Sequence, residues 1–379
     1  MPVALDQQLR PVRVGGRSLP LVGKARIYVC GVTPYDVTHL GHAATYVWVD
    51  VASRLLRYLG VDVELCRNVT DVDDVLLAAA RRAGSPYDAF AAVQQFQFDQ
   101  DMAALGVRRP THEPRAHNFV RHVVSLAAAL LDNGRAYVRD GSVYFRGADI
   151  PASVGLSRDE ALALSTEYHD EPDDPAKEDP FDVAVWRATD QGQPAWPSPW
   201  GPGRPGWHAE CTAMAVSAFG SSLDLHAGGA DLRFPHHAYE SAQAEAFSGV
   251  RPFARAWMHV GIVRVRGEKM AKSAHNLVLV SDLLHEHSPA ALRLLLLRRP
   301  WSDSWDFDAA ELASVENDVE RLFGAAARPD RGLPAAAATS SEAVLAALRD
   351  DLDVRGALDI ALEEGGSAAR ALVEILGLR

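Results

Sequence analysis

Cys30-Gly31-Val32-Thr33-Pro34-Tyr35-Asp36-Val37-Thr38-His39-Leu40-Gly41-His42 stands between two segments of different period. Before it, Arg26-Ile27-Tyr28-Val29-Cys30 is a short apolar run of strand length. After it, Val47, Val51, Leu55 and Leu59 recur every four residues, one face of a helix. A polar loop containing Gly and Pro therefore joins a strand to a helix N-terminus. Open α/β sheets place nucleotides at such junctions, because free backbone N–H groups and the positive helix end attract phosphate. Gly41 lets a ligand come close to the backbone. His39 and His42 are one helical turn apart and can face one ligand together.

Gly60 closes that helix, and Val61-Asp62-Val63-Glu64-Leu65-Cys66 alternates as a second strand running into Asn68-Val69-Thr70-Asp71-Val72-Asp73-Asp74. Strand–helix–strand predicts a parallel, right-handed crossover. The acidic cluster has two readings, a Mg²⁺ site or helix capping by Asp71 or Asp73. Capping is preferred, with Asn68 and Thr70 nearer the ligand. Far downstream, Lys269-Met270-Ala271-Lys272-Ser273 follows Gly267 and puts two ammonium groups on one loop, where they can close over phosphates; the plain alternative is a basic turn.

The chain has 379 residues, 48% of them hydrophobic, enough for two domains or one large domain with an appendage. Residues up to about Lys24 read as an irregular leader without a signal-peptide core. No run is long and apolar enough for a transmembrane helix. Three widely spaced cysteines do not make a disulfide framework, so a cytoplasmic protein is expected. A net charge of −12 argues against a broad electrostatic footprint for nucleic acid. Ala78 to Leu131 is helical and Ala-rich, and Asp140-Gly141 between two apolar runs predicts a hairpin. The stretch at about residues 110–200 reads as an insertion into a nucleotide fold. Within and just after it, Tyr168 to Pro180 and Gln191 to Gly206 read as loops. After Ser273 come helices: Asn276 to Leu284 near the signature loop, Leu-rich Pro289 to Arg298, a Pro/Ala-rich connection at Ala325 to Ser341, and two further helices in Val344 to Leu378.

A second chemical cluster is Gly206-Trp207-His208-Ala209-Glu210-Cys211, and a third runs from Gly228 to Glu240. His236 and Glu240 are four apart, on one face of a helix beginning near Pro235. With Cys30 and Cys211 they offer two thiolates, an imidazole and a carboxylate, plausible tetrahedral Zn²⁺ ligands. A free Cys is also often a small buried hydrophobe, the preferred reading of Cys66.

These motifs share an order with a known family. VCGVTPYD, HLGHAATY, NVTDVDD, PGWHAEC, GGADLRFPHH and KMAKS resemble, in sequence, the cysteinyl-tRNA synthetases and their relative, the mycothiol-pathway cysteine ligase. The resemblance covers roughly residues 24–325. It implies an α/β, Rossmann-like catalytic domain of class I synthetase type over residues 1–275, with the insertion, and a C-terminal helical region over 276–379. It implies ATP with Mg²⁺, L-cysteine and one Zn²⁺ per chain, held by Cys30, Cys211 and His236. A carboxylate at the position of Glu240 completes the set in the synthetases and is expected to be absent from the ligase. Cysteinyl-adenylate contacts fall on Cys30, Gly31, Val32, Thr33, Thr45, Asn68, Val69, Thr70, Trp207, Gly229, Ala230, Asp231 and Val263. His39 and His42 would contact phosphates, while Lys269 and Lys272 would hold the departing pyrophosphate. The base that frees the acceptor amine is Asp231, His208 or His237.

His42-Ala43-Ala44-Thr45-Tyr46, Asp174-Pro175-Ala176-Lys177 and Arg204-Pro205-Gly206-Trp207-His208 look ligase-like, and little chain follows the last helices for an anticodon. The expected acceptor is therefore a small amine, glucosaminyl-inositol favoured over tRNA, and a monomer is favoured. Glu167-Tyr168-His169-Asp170-Glu171-Pro172 stands where the ligase carries ERGGDP, and the added acids there would suit a cationic acceptor. A tRNA-charging synthetase and a non-catalytic zinc-containing paralogue are the alternatives.

Overall fold

Four parallel strands, β1 (Lys24–Val32), β2 (Asp62–Val69), β3 (Leu223–Gly229) and β4 (Ala254–Val260), form the central sheet in the order β4-β3-β1-β2. The computed structural model describes residues 11–35, 37–189, 194–270, 274–330 and 334–379. Ile27, Tyr28, Val29 and Cys30 are all buried, a continuous run and not an alternating one, because helices cover both faces of a parallel sheet. Helix α1 (Leu40–Tyr58) makes the crossover from β1 to β2, as the 3.6-residue period predicts. β1 and β3 are neighbours in space although distant in sequence. The strand order reverses between them, and the crevice beyond their C-terminal ends is where such sheets bind ligands.

The chain between β2 and β3 carries helices Asp74–Arg82, Tyr87–Ala104 and Ala116–Asp132, then an antiparallel sheet of Ala136–Arg139, Ser142–Phe145, Val183–Ala188 and Gly203–Pro205. Asp140 and Gly141 turn the hairpin with φ of 51° and 78°, the left-handed pair a two-residue turn requires. The core of this piece, with Phe145, Val183 and Trp186, also takes in Ala209 and Ala213 of α2 (Trp207–Phe219) and Tyr239 of α3 (Ala238–Ser248). The insertion is thus seated on the two helices that follow the motif clusters.

Three segments differ from the sequence reading. The leader contains a hairpin, Val12–Val14 with Arg17–Leu19, turned by Gly15 and Gly16 and anchored by buried Val12, Val14 and Leu19. Gly203–Pro205 is a strand: a Cβ on Gly203 would lie 2.4 Å from the Arg187 carbonyl, so glycine alone permits the pairing. Residues Gln191 to Gln193 of that expected loop lie outside the described residues. Pro334 opens a helix, Pro334–Arg349, inside the expected connection; proline at a first helical position loses no hydrogen bond.

Helices Val354–Glu364 and Gly366–Leu376 part at Gly365, where φ is 67°. Arg293 fastens this region to the sheet domain. Almost wholly buried, it donates to Asp50 of α1 at 2.7 Å and to the carbonyls of Leu105 and Leu376 at 3.0 and 2.8 Å. The Asn276–Leu284 segment does reach the signature loop, with Leu40 N donating to Val278 O at 2.8 Å and Val280 N to Thr38 O at 3.2 Å.

Candidate active site

His39 and His42, the expected phosphate contacts, stand at the junction of β1 and α1. His39 is the N-cap of α1, its Nδ1 accepting from the Gly41 N–H at 3.2 Å, and its ring stacks on His42 with centroids 3.8 Å apart. A Cβ on Gly41 would lie 3.0 Å from that ring and 3.5 Å from Met270 Cε, so the missing side chain lets both motifs close up. Burial pulls the His42 pKa down to about 4, helped by the Lys269 charge, and its Nδ1 has no partner among the described residues. Lys269 Nζ donates to Asp231 Oδ2 at 2.6 Å and lies 3.5 Å from the Tyr168 hydroxyl. Burial lowers the Lys269 ammonium, but Asp231 outweighs it and the net shift is upward. Lys272 lies outside the described residues.

β1 and β2 come close at Gly31, where a Cβ would fall 1.5 Å from the Asn68 carbonyl. Gly31 N donates to Asn68 Oδ1 at 2.8 Å, and the Thr33 and Thr70 hydroxyls meet at 2.6 Å. Thr70 N donates to Val32 O, Thr45 is buried on α1, and Val69 and Val263 have their side chains in the core. Gly229 ends β3 and Ala230 begins the short turn that presents Asp231. Asp73 does cap a helix, accepting from Val75 N at 2.7 Å, whereas Asp71 holds His117 instead.

Cys30 from β1, Cys211 from α2, His236 from the wide turn Arg233–His237 and Glu240 from α3 bring their donor atoms within 4.8 Å of one another, all buried. His236 precedes the regular helix, yet its Nε2 lies 2.7 Å from Glu240 Oε1. Cys30 Sγ is 3.0 Å from the same oxygen, and Asn68 Nδ2 donates to Cys211 Sγ at 3.2 Å. Burial opposes charge on both members of the His236–Glu240 pair. The attraction wins, holding the imidazole at about 10 and the carboxyl well below its usual range. Burial and its acidic neighbours push the Cys30 thiol up. The Cys211 thiol comes down despite burial, because Cys30 donates to it and His236 stands beside it. Two sulfurs and a carboxylate facing one imidazole form a donor set a divalent cation fits. Cys66 is outside this set and fully buried, its thiol pushed up to about 12 by burial, as a core residue should be.

Sequence reasoning missed His226. It sits on β3, its Nε2 2.8 Å from Glu240 Oε2, and with Cys30, His237 and Glu240 it forms a second set of donors within 4.8 Å. Its signal was a histidine set between the apolar residues Leu225 and Ala227 of the strand. Trp207, at the start of α2, stacks on His236 at 4.0 Å.

The model of the tRNA synthetases class I (C) catalytic domain matches residues 20–317. A cysteine--tRNA ligase of Halorhodospira halophila is 43% identical over 370 residues, 94% of this chain and 79% of that one. An L-cysteine:1D-myo-inositol 2-amino-2-deoxy-alpha-D-glucopyranoside ligase of Streptosporangium roseum is 43% identical over 365 residues, 92% of this chain and 88% of that one. Among solved structures, Mycobacterium tuberculosis methionyl-tRNA synthetase in complex with methionyl-adenylate aligns with a TM-score of 0.63 at 19% identity, covering 94% and 82%. That likeness shows the fold.

Proposed function

Because the chain belongs to the class I (C) tRNA synthetase catalytic-domain family, an ATP-dependent ligase family, we propose that it converts L-cysteine to cysteinyl adenylate and passes the cysteinyl group to a small amine, glucosaminyl-inositol favoured. The observation that carries the first half is the buried Cys30, Cys211, His236 and Glu240 set at the end of the strand that also leads into His39 and His42. Those four residues would hold Zn²⁺. When bound, it prefers a thiolate to a hydroxyl, which supplies the rejection of serine that pocket size cannot.

The remaining chemistry falls to the chain. A carboxylate oxygen of cysteine attacks the α-phosphorus of ATP, which binds with Mg²⁺, and the bond to the β-phosphate breaks. Orientation and charge neutralisation supply most of the acceleration. Neutral His42 donates a hydrogen bond to a phosphate beside His39, and Lys269, with Lys272, draws off the pyrophosphate. The amine nitrogen then attacks the carbonyl carbon, AMP leaves and a base takes the amine proton. Of the three candidate bases, Asp231 alone has a substantially exposed side chain, at 26%; His208 and His237 are buried.

The net charge of −12 supports a small acceptor, since a phosphate backbone favours a basic surface. The acids of the Tyr168 segment have partners within the chain: Asp170 bonds His208 and Glu171 pairs with Arg187 at 3.2 Å. Charging of tRNA is the second reading, favoured by Glu240 in the donor set and by the cysteine--tRNA ligase relatives. Three free cysteines suit a cytoplasmic enzyme, which we take to be a monomer. Mass spectrometry of products from ATP, cysteine and either glucosaminyl-inositol or tRNA decides. An amide with the sugar amine is expected, and efficient tRNA charging without any small amide overturns the reading.

A further inference from the structure

We propose that Asp170, reached from the inserted segment, is a positioning residue for the metal set, fixing through His208 which nitrogen of His236 faces Cys30, Cys211 and Glu240. The proposal rests on reading that set as a metal site. Asp170 Oδ1 and Oδ2 lie 3.0 and 3.2 Å from His208 Nε2, and His208 Nδ1 lies 2.8 Å from His236 Nδ1. An ionised carboxylate only accepts, so His208 donates through Nε2. In that tautomer its Nδ1 accepts, and His236 must donate through its own Nδ1. The nitrogen of His236 left to offer a lone pair to a cation is then Nε2, the atom already 2.7 Å from Glu240 Oε1.

Stacking complements this chain. Trp207 lies on His236 at 4.0 Å and 21°, and Tyr239 on His208 at 5.3 Å and 14°. Those contacts fix the ring planes but tolerate a ring flip, which exchanges nitrogen and carbon positions; the hydrogen bonds forbid it. The backbone around Asp170 points the same way. His169 and Glu171, on either side of it, adopt φ of 62° and 51°, left-handed conformations that cost non-glycine residues roughly 1 kcal/mol or more each. Asp170 N also donates to Ser165 O at 2.9 Å, and its carbonyl accepts from Lys177 Nζ. Strain of this kind persists where the surroundings over-determine it. Here it delivers a carboxylate, 12% exposed, to a buried imidazole pair.

The test is Zn²⁺ affinity of the full chain, by competition with a chromogenic chelator, together with the absorption spectrum of the Co²⁺-loaded protein. Losing a partner of this kind costs about 10–100-fold in metal affinity, the effect expected for Asp170→Ala, with an altered Co²⁺ spectrum. Asp170→Asn keeps an acceptor oxygen but not the charge, so it should lose less, about threefold or more. His208→Gln should weaken binding as well, and adding Asp170→Ala to it should change nothing further, since the effect runs through His208. A folded Asp170→Ala protein with wild-type affinity and spectrum overturns the proposal, as do additive losses in the double variant. If the alanine variant does not fold, Asp170→Asn with wild-type affinity overturns it equally. A wild-type chain that binds no Zn²⁺ sinks the metal reading itself, a separate outcome.

Discussion

Lys269→Ala is the most direct challenge to the phosphate assignment. Lys269 Nζ sits 2.6 Å from Asp231 Oδ2, with side chains 46% and 26% exposed. An ion pair this open contributes about 0–1 kcal/mol. A positioned charge facing a transition state contributes about 2.7–4 kcal/mol, or 10²–10³ in rate. On the proposed role, phosphate would outcompete Asp231 for the ammonium, and the pair would be a resting arrangement. Cysteine-dependent ATP–pyrophosphate exchange should fall about 10²–10³-fold in Lys269→Ala, mainly in kcat/KM for ATP. Asp231→Asn frees the lysine but keeps a polar side chain at the expected adenylate contact, so exchange should alter by no more than about fivefold, the worth of the pair. Amide formation from preformed adenylate should slow in Asp231→Asn if this carboxylate takes the amine proton. Wild-type exchange in Lys269→Ala would refute the reasoning. So would Asp231→Asn losing exchange as severely, because the pair would then be needed intact.

Three further outcomes follow from the geometry. Purified protein should carry one Zn²⁺ per chain, lost in Cys211→Ala, and chelation should lower the melting temperature because the ion binds only the folded donor set; elemental analysis and calorimetry check this. His42 and His259 are both depressed to about 4, mainly by burial, so each must gain a proton on unfolding below its unfolded value of about 6.5. Their contribution to stability is present above that value and is lost as pH falls from about 6.5 toward 4. Denaturant unfolding at pH 7 and pH 5 should show the drop, reduced in His259→Phe; an equal drop in that variant counts against it. Gly31→Ala should destabilise severely or abolish folding, because its Cβ would land 1.5 Å from a β-strand carbonyl with no flexible side chain to yield; a melting temperature within a few degrees of wild type contradicts the register.

The strand–loop–helix around Cys30 was legible because two periods, apolar run and four-residue repeat, change at one polar loop. The hairpin at Asp140-Gly141 was legible because its turn demands left-handed backbone. The metal set was not legible from spacing. Its members come from four elements that only the sheet order brings together, and His236 and Glu240 alone show a local period. The hairpin at Val12–Leu19 was lost because Gly15 and Gly16 in a short charged segment look like loop until the core that buries Val14 exists. Proline and alanine together at Ala325 to Ser341 suggest a connection, but Pro334 starts a helix there. The link from Asp170 to His208 joins two segments with no shared pattern, and the left-handed residues beside it are of types that carry no sequence warning.

One consequence of β1 concerns length. Cys30 contributes to the metal set, and Gly31 to Thr33 of the same strand and its exit lead into the nucleotide loop. Thr33 follows Cys30 by three residues, just past the end of the strand. On the proposed assignment the strand would set the spacing between a thiol-binding end and a carboxylate-activating end. Cysteine would reach from one to the other through a fixed number of carbons. Homocysteine, one methylene longer, would push its carboxylate about 1.5 Å out of line, and a misplacement near 1 Å already costs about 10² in rate. The enzyme would thus reject serine by donor chemistry and homocysteine by the rigidity of one strand, with no pocket wall needed for the second.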